Sequence, residues 1–230
     1  MAFALDWHLV HLGSRATGGA GLVMTEAAAV TAEGRITPED LGLYQDAHVE
    51  MLSRSMRFVR SQGSAGGTQL AHAGRKGSTW RPWDGAGAVA REKGWWEPVG
   101  PTDESFSSAF PVPRALRTED VPPIVAAFRD AATRAAAAGF DILELHAAHG
   151  YLIHEFLLPL SNTRTDHYGG SFDNRIRLCL EVVDAVRHVW PECSPLWLRI
   201  SATDSAPGGW GGISSSRSNW RGECASGAWI

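Results

Sequence analysis

The amino-acid sequence predicts an α/β fold with a parallel β-sheet. Two features predict it: four short apolar runs of strand length, and intervening segments whose apolar residues recur at the three- and four-residue intervals of an amphipathic helix. Strands that alternate with helices form a parallel sheet, which is either open or closed into a barrel. The chain has 230 residues, of which 44% are hydrophobic, so it can bury one substantial core.

Four strands are predicted from the apolar runs. A helical segment separates each successive pair of runs, which supports the alternation of strands and helices. The runs comprise residues 21–25 (GLVMT), 65–70 (AGGTQL), 141–146 (DILELH) and 196–201 (LWLRIS).

The first two predicted helices lie between the first three strands. Residues 122–139 are rich in alanine, open with two prolines where a first turn tolerates them, and close at Gly139, a suitable C-terminal glycine. In residues 46–63 apolar side chains recur at helical spacing before Gly63; they are Val49, Leu52, Met56 and Val59.

The third predicted helix lies between the last two strands. It begins near Ser171, whose side chain can cap a helix, and runs up to Pro191. Its expected buried face carries Ile176, Leu180, Val183 and Val186.

Two regions break the pattern. Residues 77–117 contain four tryptophans with many prolines and glycines, which predicts a long loop with local structure at one end of the sheet; either a binding role or a packed surface loop is compatible with it. In residues 205–230, serine and glycine make up twelve of 26 positions. Such a tail buries too little apolar surface to offset the entropy of ordering, so we expect residues 1–204 to form the domain and 205–230 a disordered tail.

Composition and charge argue against several classes of protein. The net charge is −4 with interspersed signs and no basic stripe, which argues against a nucleic-acid partner. No apolar run has the length of a bilayer span and the N-terminus lacks the pattern of a secretion signal, so we expect a cytoplasmic protein without a membrane partner. Three widely spaced cysteines fit a reducing compartment rather than a disulfide framework.

Polar residues follow each predicted strand at its carboxyl end. In parallel α/β folds the loops after the strands converge at this edge, which is where ligands bind. These polar residues are Glu26 after the first strand, Gln69 and His72 around the second, His146 and His149 at the third, and Arg199, Ser201 and Asp204 at the fourth.

The two histidines His146 and His149 have three possible roles. They are hydrogen-bonded structural residues, or ligand-binding residues, or part of a metal site to which His154 and Glu155 add further ligands. Their spacing differs from that of a two-histidine helical metal motif and no cysteine lies nearby, which weakens the metal interpretation. His154, on the next helix, is expected to be structural.

Four segments resemble the Old Yellow Enzyme family of FMN-dependent ene-reductases, in particular the bacterial subgroup that includes xenobiotic reductases. The resemblance extends over residues 4–204 and keeps the order of the family's motifs. The segments are GLVMTEAAAVTAEGRIT (21–37), TQLAHAGRK (68–76), GFDILELHAAHGYLIHEFLLPLSNTRTDHYGGSFDNRIRL (139–178) and LRISATD (198–204).

The resemblance implies a TIM (β/α)8 barrel with FMN across its C-terminal mouth. Ala27 matches a backbone contact to the flavin, and Gln69 matches the amide that binds the pyrimidine edge. Arg199 matches the cation beside flavin N1 and O2, which favours the anionic reduced flavin. His146 and His149 match the pair that binds the substrate oxygen, and Tyr151 matches the proton donor.

The implied reaction is the reduction of an activated C=C bond. NAD(P)H reduces FMN, and hydride from flavin N5 then adds to a small electrophilic alkene such as an enone; nitro compounds are a related substrate class. Two imidazole donors stabilise the oxygen on which charge accumulates, and a tyrosine protonates the α-carbon. A homo-oligomer is compatible with the resemblance.

The resemblance implies only part of the barrel, namely strands two to five with their helices. Residues 4–21 already match the helix after the family's first strand, and the match ends after the fifth strand, beyond which the tail reads like a shifted frame. Four strands cannot close an eight-stranded barrel. A non-catalytic truncated remnant is therefore the alternative to an active ene-reductase. We expect the 230-residue chain to retain FMN below stoichiometry and to reduce alkenes more slowly than a complete member of the family.

Overall fold

The computed structural model describes residues 2–202. Five helices and six strands are formed within this range. In chain order they are α1 (Asp6–Thr17), β1 (Leu22–Ala29), α2 (Val49–Ser61), β2 (Ala65–Ala71), β3 (Val99–Gly100), β4 (Arg114–Ala115), α3 (Val121–Ala138), β5 (Ile142–Ala147), α4 (Leu152–Leu157), α5 (Phe172–Val189) and β6 (Leu196–Ile200).

The central sheet has four parallel strands in the order β1-β2-β5-β6. All four predicted strands are confirmed, as is the α/β class with a partial (β/α)8 barrel. β1 is longer than predicted: it continues to Ala29, and its register with β2 shifts between Met24 and Ala27. There the backbone of Ala29 hydrogen-bonds Leu41 and Leu43, a contact between segments that no local pattern indicates.

The three predicted helices form as α2, α3 and α5. Gly139 ends α3 with a φ of 87°, a left-handed conformation that glycine adopts without steric cost. The predicted face of α5 is partly wrong. Ile176 and Val186 are buried as expected, but Leu180 and Val183 lie only at the margin of the core. Cys179 and Val182, each one position before an expected residue, are buried instead. The middle of the buried face is therefore rotated by one residue relative to the prediction.

The core lies between the sheet and the helices. Alanines on α3 are fully buried where this helix packs against α2, β2 and α5, because small side chains allow the backbones to approach closely. Phe128 fills the remaining space and has no exposed surface. The leucines of β5, Leu143 and Leu145, face this layer. The alternate residues of β5, Glu144 and His146, therefore face the opposite side of the sheet.

The predicted loop of residues 77–117 contains more structure than expected. β3 and β4 form a short parallel pair within it, and Val99 and Leu116 bury their side chains in the core. The indole N–H of Trp96 donates to the carbonyl oxygen of Glu33, which ties the loop to the segment after β1. The loop follows β2 and therefore lies at the carboxyl edge of the sheet.

The predicted tail, residues 205–230, lies outside the described residues, as does Asp204. Within residues 2–202, no helix is long and apolar enough to cross a membrane. Of the three cysteines, Cys179 is buried and Cys193 is exposed.

The N-terminus of α5 is stabilised by the predicted cap. The side-chain oxygen of Ser171 accepts a hydrogen bond from the backbone N–H of Asn174 at 3.3 Å. Replacing Ser171 with alanine should lower the free energy of unfolding by about 1 kcal/mol, because this N–H loses its partner. Chemical denaturation measures the change. Ser171→Asp is the matched control, since an aspartate also caps helices; equal losses in both variants would contradict the capping role.

Candidate active site

The residues singled out in the sequence meet at the carboxyl edge of the sheet. In the strand register Ala27 lies beside Gln69, and Gln69 lies beside Glu144. His146 lies two residues further along β5, on the same face as Glu144, and is the register partner of Arg199 on β6. The four strands therefore bring the predicted flavin contacts and the first histidine onto one continuous surface.

Gln69 has a partner that sequence reasoning missed. Its amide nitrogen donates a hydrogen bond to the carboxylate of Glu144, and the side chain is only 8% exposed. This contact orients the amide and leaves its carbonyl oxygen as an available acceptor. The signal was present in the sequence, because Glu144 is a charged residue inside an apolar run and shares a face with His146.

His146 is held as a neutral hydrogen-bond donor. Its side chain is 3% exposed, and its Nδ1 accepts the backbone N–H of Ala148 at 3.2 Å, so the ring proton resides on Nε2. Burial lowers the pKa of His146 to about 4, assisted by the neighbouring ionisable groups His149, Arg199, His154 and Lys76, whose cationic forms disfavour a second positive charge. The ring is therefore uncharged near neutral pH, and Nε2–H is its donor.

His149 lies in an unusual backbone conformation. Its φ is 60°, in the left-handed region that few residues other than glycine occupy. The N–H of His149 donates to the hydroxyl of Ser201 at 2.9 Å, and its carbonyl oxygen accepts from Nζ of Lys76 at 2.6 Å. Burial and the charges of Arg199 and Lys76 lower the pKa of the His149 ring.

Tyr151 completes a cluster of three rings around His146. The His146 ring centroid lies 5.0 Å from that of His149 and 4.9 Å from that of Tyr151, both in edge-on geometry. Tyr151 is half-buried at the start of α4, and burial together with the charge of Asp40 raises its pKa. The phenol is thus protonated near neutral pH. Two imidazoles and one phenol supply N–H and O–H donors within a single cluster.

Open space lies next to this cluster. A pocket of about 600 Å³ extends between the segment after β1 and the loop of residues 77–117. Ala27 and Tyr151 line it from the sheet side, and Trp83, which is 76% exposed, lines it from the loop. Asp40 also lines it, and burial raises the pKa of its carboxyl group despite the hydrogen bonds from Thr37 and Ile36.

Arg199 presents its guanidinium on the same face of the sheet. The residue is exposed, as is Trp197 two positions earlier on β6. Its charge acts on both histidines, lowering the pKa of each. This position suits an anionic or electron-rich group bound over the carboxyl ends of β5 and β6.

Other polar residues at the strand ends form hydrogen bonds with neighbouring segments. Glu26 lines the pocket and accepts a hydrogen bond from His8 of α1 at 2.9 Å. Nδ1 of His72 accepts the N–H of Gly74, and Ser201 binds the backbone of His149. These contacts shape the loops around the cluster.

The residues required by the metal interpretation have other partners. Nδ1 of His154 accepts the N–H of Gly150 at 2.8 Å. Glu155 accepts the N–H of Arg75 at 3.0 Å. Across residues 2–202, no group of three or more His, Cys, Asp and Glu side chains is arranged to hold a metal ion.

Comparison with known proteins gives a consistent result. Residues 2–215 match the model of the NADH:flavin oxidoreductase / NADH oxidase family. An NADH:flavin oxidoreductase of Gibberella zeae is 50% identical over 206 residues, which are 88% of this chain and 50% of that protein. An NADPH dehydrogenase of Bacillus cytotoxicus is 46% identical over 204 residues, which are 89% of this chain and 54% of that protein. The chain thus spans about half the length of these relatives.

Solved structures show the same fold. Morphinone reductase superimposes with a TM-score of 0.76 at 32% identity, over 86% of this chain and 54% of that one. An old yellow enzyme homologue from Zymomonas mobilis superimposes with a TM-score of 0.74 at 30% identity, over 88% of this chain and 55% of that one. Both are similar to this chain across nearly all of its described residues.

Proposed function

The chain belongs to the NADH:flavin oxidoreductase / NADH oxidase family, and from this we propose that it acts as an FMN-dependent NAD(P)H oxidoreductase that reduces activated C=C bonds. The observation that carries the proposal is the ring cluster. The ring centroid of His146, which burial keeps neutral, lies 5.0 Å from that of His149 and 4.9 Å from that of Tyr151. Arg199 is the register partner of His146, and Gln69 is the register partner of Glu144, two residues earlier on β5. Enones and related small electrophiles are the proposed substrates.

The donors and acceptors on the sheet fit the ring of FMN. The pyrimidine edge of a flavin offers one N–H donor between two carbonyl acceptors, and Gln69 has an acceptor oxygen with its amide fixed by Glu144. Arg199 would lie near N1 and O2, and the backbone of Ala27 would contact the ring from the pocket wall. When bound, FMN would supply the hydride, with NAD(P)H as its source.

The substrate oxygen would bind between His146 and His149. A neutral imidazole donates through N–H without first acquiring a proton, so the pair can stabilise developing negative charge while remaining uncharged. Tyr151, whose pKa is raised, would hold a proton for the α-carbon as general acid. Each group is thus in the protonation state that its role requires near neutral pH.

A second candidate function is a non-catalytic scaffold. The observation that favours it is the open sheet, since β1 and β6 each pair with one neighbouring strand among residues 2–202. Exposed strand edges promote association between chains. This candidate predicts a colourless, self-associating protein.

Titration with FMN tests the proposed function. We expect the purified 230-residue chain to quench flavin fluorescence saturably but below one FMN per chain, and to reduce 2-cyclohexenone at the expense of NAD(P)H only slowly. Arg199→Met should weaken FMN binding, because the variant lacks the cation proposed beside N1 and O2. Arg129→Met at an exposed position of α3 is the matched control. A colourless protein without saturable binding would contradict the proposal and favour the scaffold.

A further inference from the structure

Lys76 lies beside the ring cluster and has a defined contact to it. It is the last residue of the single turn Gly74–Lys76, which follows β2. Its Nζ donates to the carbonyl oxygen of His149 at 2.6 Å. The same ammonium lies 4.1 Å from the ring centroid of Phe106 and 5.5 Å from that of Tyr151. Three groups therefore fix the position of this cation.

Lys76 hydrogen-bonds to a strained part of the backbone. His149 and Gly150 both have positive φ, 60° and 73°, so the peptide between them lies in a conformation that an L-residue rarely adopts. Such a conformation persists only where surrounding contacts hold it. The N–H of His149 donates to Ser201, and the N–H of Gly150 donates to Nδ1 of His154. The carbonyl oxygen of His149 is held by Lys76. A side chain at position 150 would begin 3.1 Å from Nζ, so Lys76 packs directly on this peptide.

The turn that carries Lys76 is itself fixed from within the fold. The N–H of Arg75 donates to the buried carboxyl of Glu155, and the N–H of Gly74 donates to Nδ1 of His72. A Cβ on Gly74 would lie 2.3 Å from an oxygen of Glu155, so the turn and α4 are in close contact. The turn therefore holds the backbone of Lys76 in a fixed position relative to His149.

We propose that Lys76 is a positioning residue, whose ammonium fixes the His149–Gly150 peptide and so directs the His149 imidazole alongside that of His146. The inference rests on the proposed function, in which His149 binds the substrate oxygen. Lys76 acts through His149 and its backbone, not on the reacting atoms.

The same placement predicts an electrostatic effect on His149. The cations that act on this ring are Lys76 from the turn after β2 and Arg199 from β6, and the titratable ring of His146 on β5 lies 5.0 Å from it. Both cations disfavour an imidazolium. Removing the charge of Lys76 should therefore raise the pKa of His149. Because His149 is exposed, solvent screens the effect and the rise in pKa should be small.

The first test needs no cofactor. Histidine ring signals of the 230-residue chain are followed by NMR against pH in wild type, Lys76→Met, Lys76→Arg and Lys93→Met. Lys93 is exposed and is the only other lysine in the sequence, which makes it a matched control. We expect the pKa of His149 to rise in Lys76→Met, to remain at the wild-type value in Lys93→Met, and to be largely restored in Lys76→Arg. Identical His149 titrations in wild type and Lys76→Met would overturn the inference.

The second test separates this inference from the proposed function. In FMN-loaded protein, Lys76→Met should weaken binding of a phenolic ligand about tenfold, the effect of losing one charge-assisted hydrogen bond, with FMN affinity unchanged. Lys76→Arg should recover most of the affinity. If the wild-type chain fails to reduce enones, the proposed function is contradicted. The NMR titration still shows whether Lys76 acts on His149. Unchanged phenol affinity in Lys76→Met would show that Lys76 does not position His149.

Discussion

Replacing either His146 or His149 with alanine is expected to slow oxidation of the reduced flavin by an enone about a hundredfold. Each substitution removes one N–H donor from the oxygen on which charge develops, and loss of one such donor costs about 3 kcal/mol. Binding of phenolic ligands should weaken in both variants. FMN affinity should change little, because the proposed flavin contacts come from Gln69, Arg199 and Ala27. Single-turnover kinetics and ligand titration measure the two effects separately.

Two further variants make this prediction specific. His149→Asn keeps an N–H donor and suits the φ of 60°, which asparagine tolerates better than most residues, so it should lose less activity than His149→Ala. His188→Ala removes an exposed histidine of α5 and should behave as wild type. Unchanged ligand affinity in both His146→Ala and His149→Ala would assign the pair a structural role.

The fold was predictable where local patterns determine it. The apolar runs of β5 and β6 and the alanine-rich α3 are local features, and all three formed close to their predicted bounds. The face of α5 was predicted less well. Apolar residues occur on adjacent stripes of this helix, and only packing against α3 and α4 decides that Cys179 and Val182 face inwards.

The candidate site was predictable only in part. Because parallel strands end at one edge, the sequence indicated that Gln69, His146 and Arg199 lie together. The long-range hydrogen bonds of the site were not predictable as pairs, although Glu144 is conspicuous as a charged residue inside an apolar run. Lys76 binds the carbonyl of a residue 73 positions away, and Gln69 binds a carboxylate 75 positions away. Such contacts depend on strand register and loop conformation, which periodicity does not encode.

Glu155 should make the protein less stable as pH rises from about 5 to 8. Its side chain has no exposed surface, and burial raises the pKa of its carboxyl group to about 8. The unfolded chain has the ordinary value, near 4.5. Below the unfolded pKa both states are protonated and the contribution is fully present. Above the unfolded pKa, Glu155 ionises in the unfolded chain but stays protonated in the folded one, which stabilises the unfolded state. The contribution of Glu155 to the free energy of unfolding is therefore lost progressively until the pH passes the folded pKa.

Buried histidines act in the opposite direction and at lower pH. Burial lowers the pKa of His48, His72 and His146 to about 4. Because their folded pKa values lie below the unfolded value of 6.5, they destabilise the fold as pH falls from about 6.5 to 4. A pH profile of the wild-type chain alone therefore mixes two trends, and a variant is needed to separate them.

Glu155→Gln isolates the carboxyl contribution. A glutamine is neutral at every pH and keeps the oxygen that accepts the N–H of Arg75, so the turn that carries Lys76 should be retained. The difference in free energy of unfolding between Glu155→Gln and wild type should therefore grow in favour of the variant between pH 5 and 8, by an amount on the order of a few kcal/mol. The histidine contributions cancel in this difference, because both chains carry the same histidines.

Denaturant titrations at four or five pH values provide the measurement. Glu192→Gln, at an exposed position between α5 and β6, is the control that should show no such trend. A difference that stays constant across this range would mean that Glu155 is ionised in the folded state, with the neighbouring cations Arg75 and Lys76 compensating its burial.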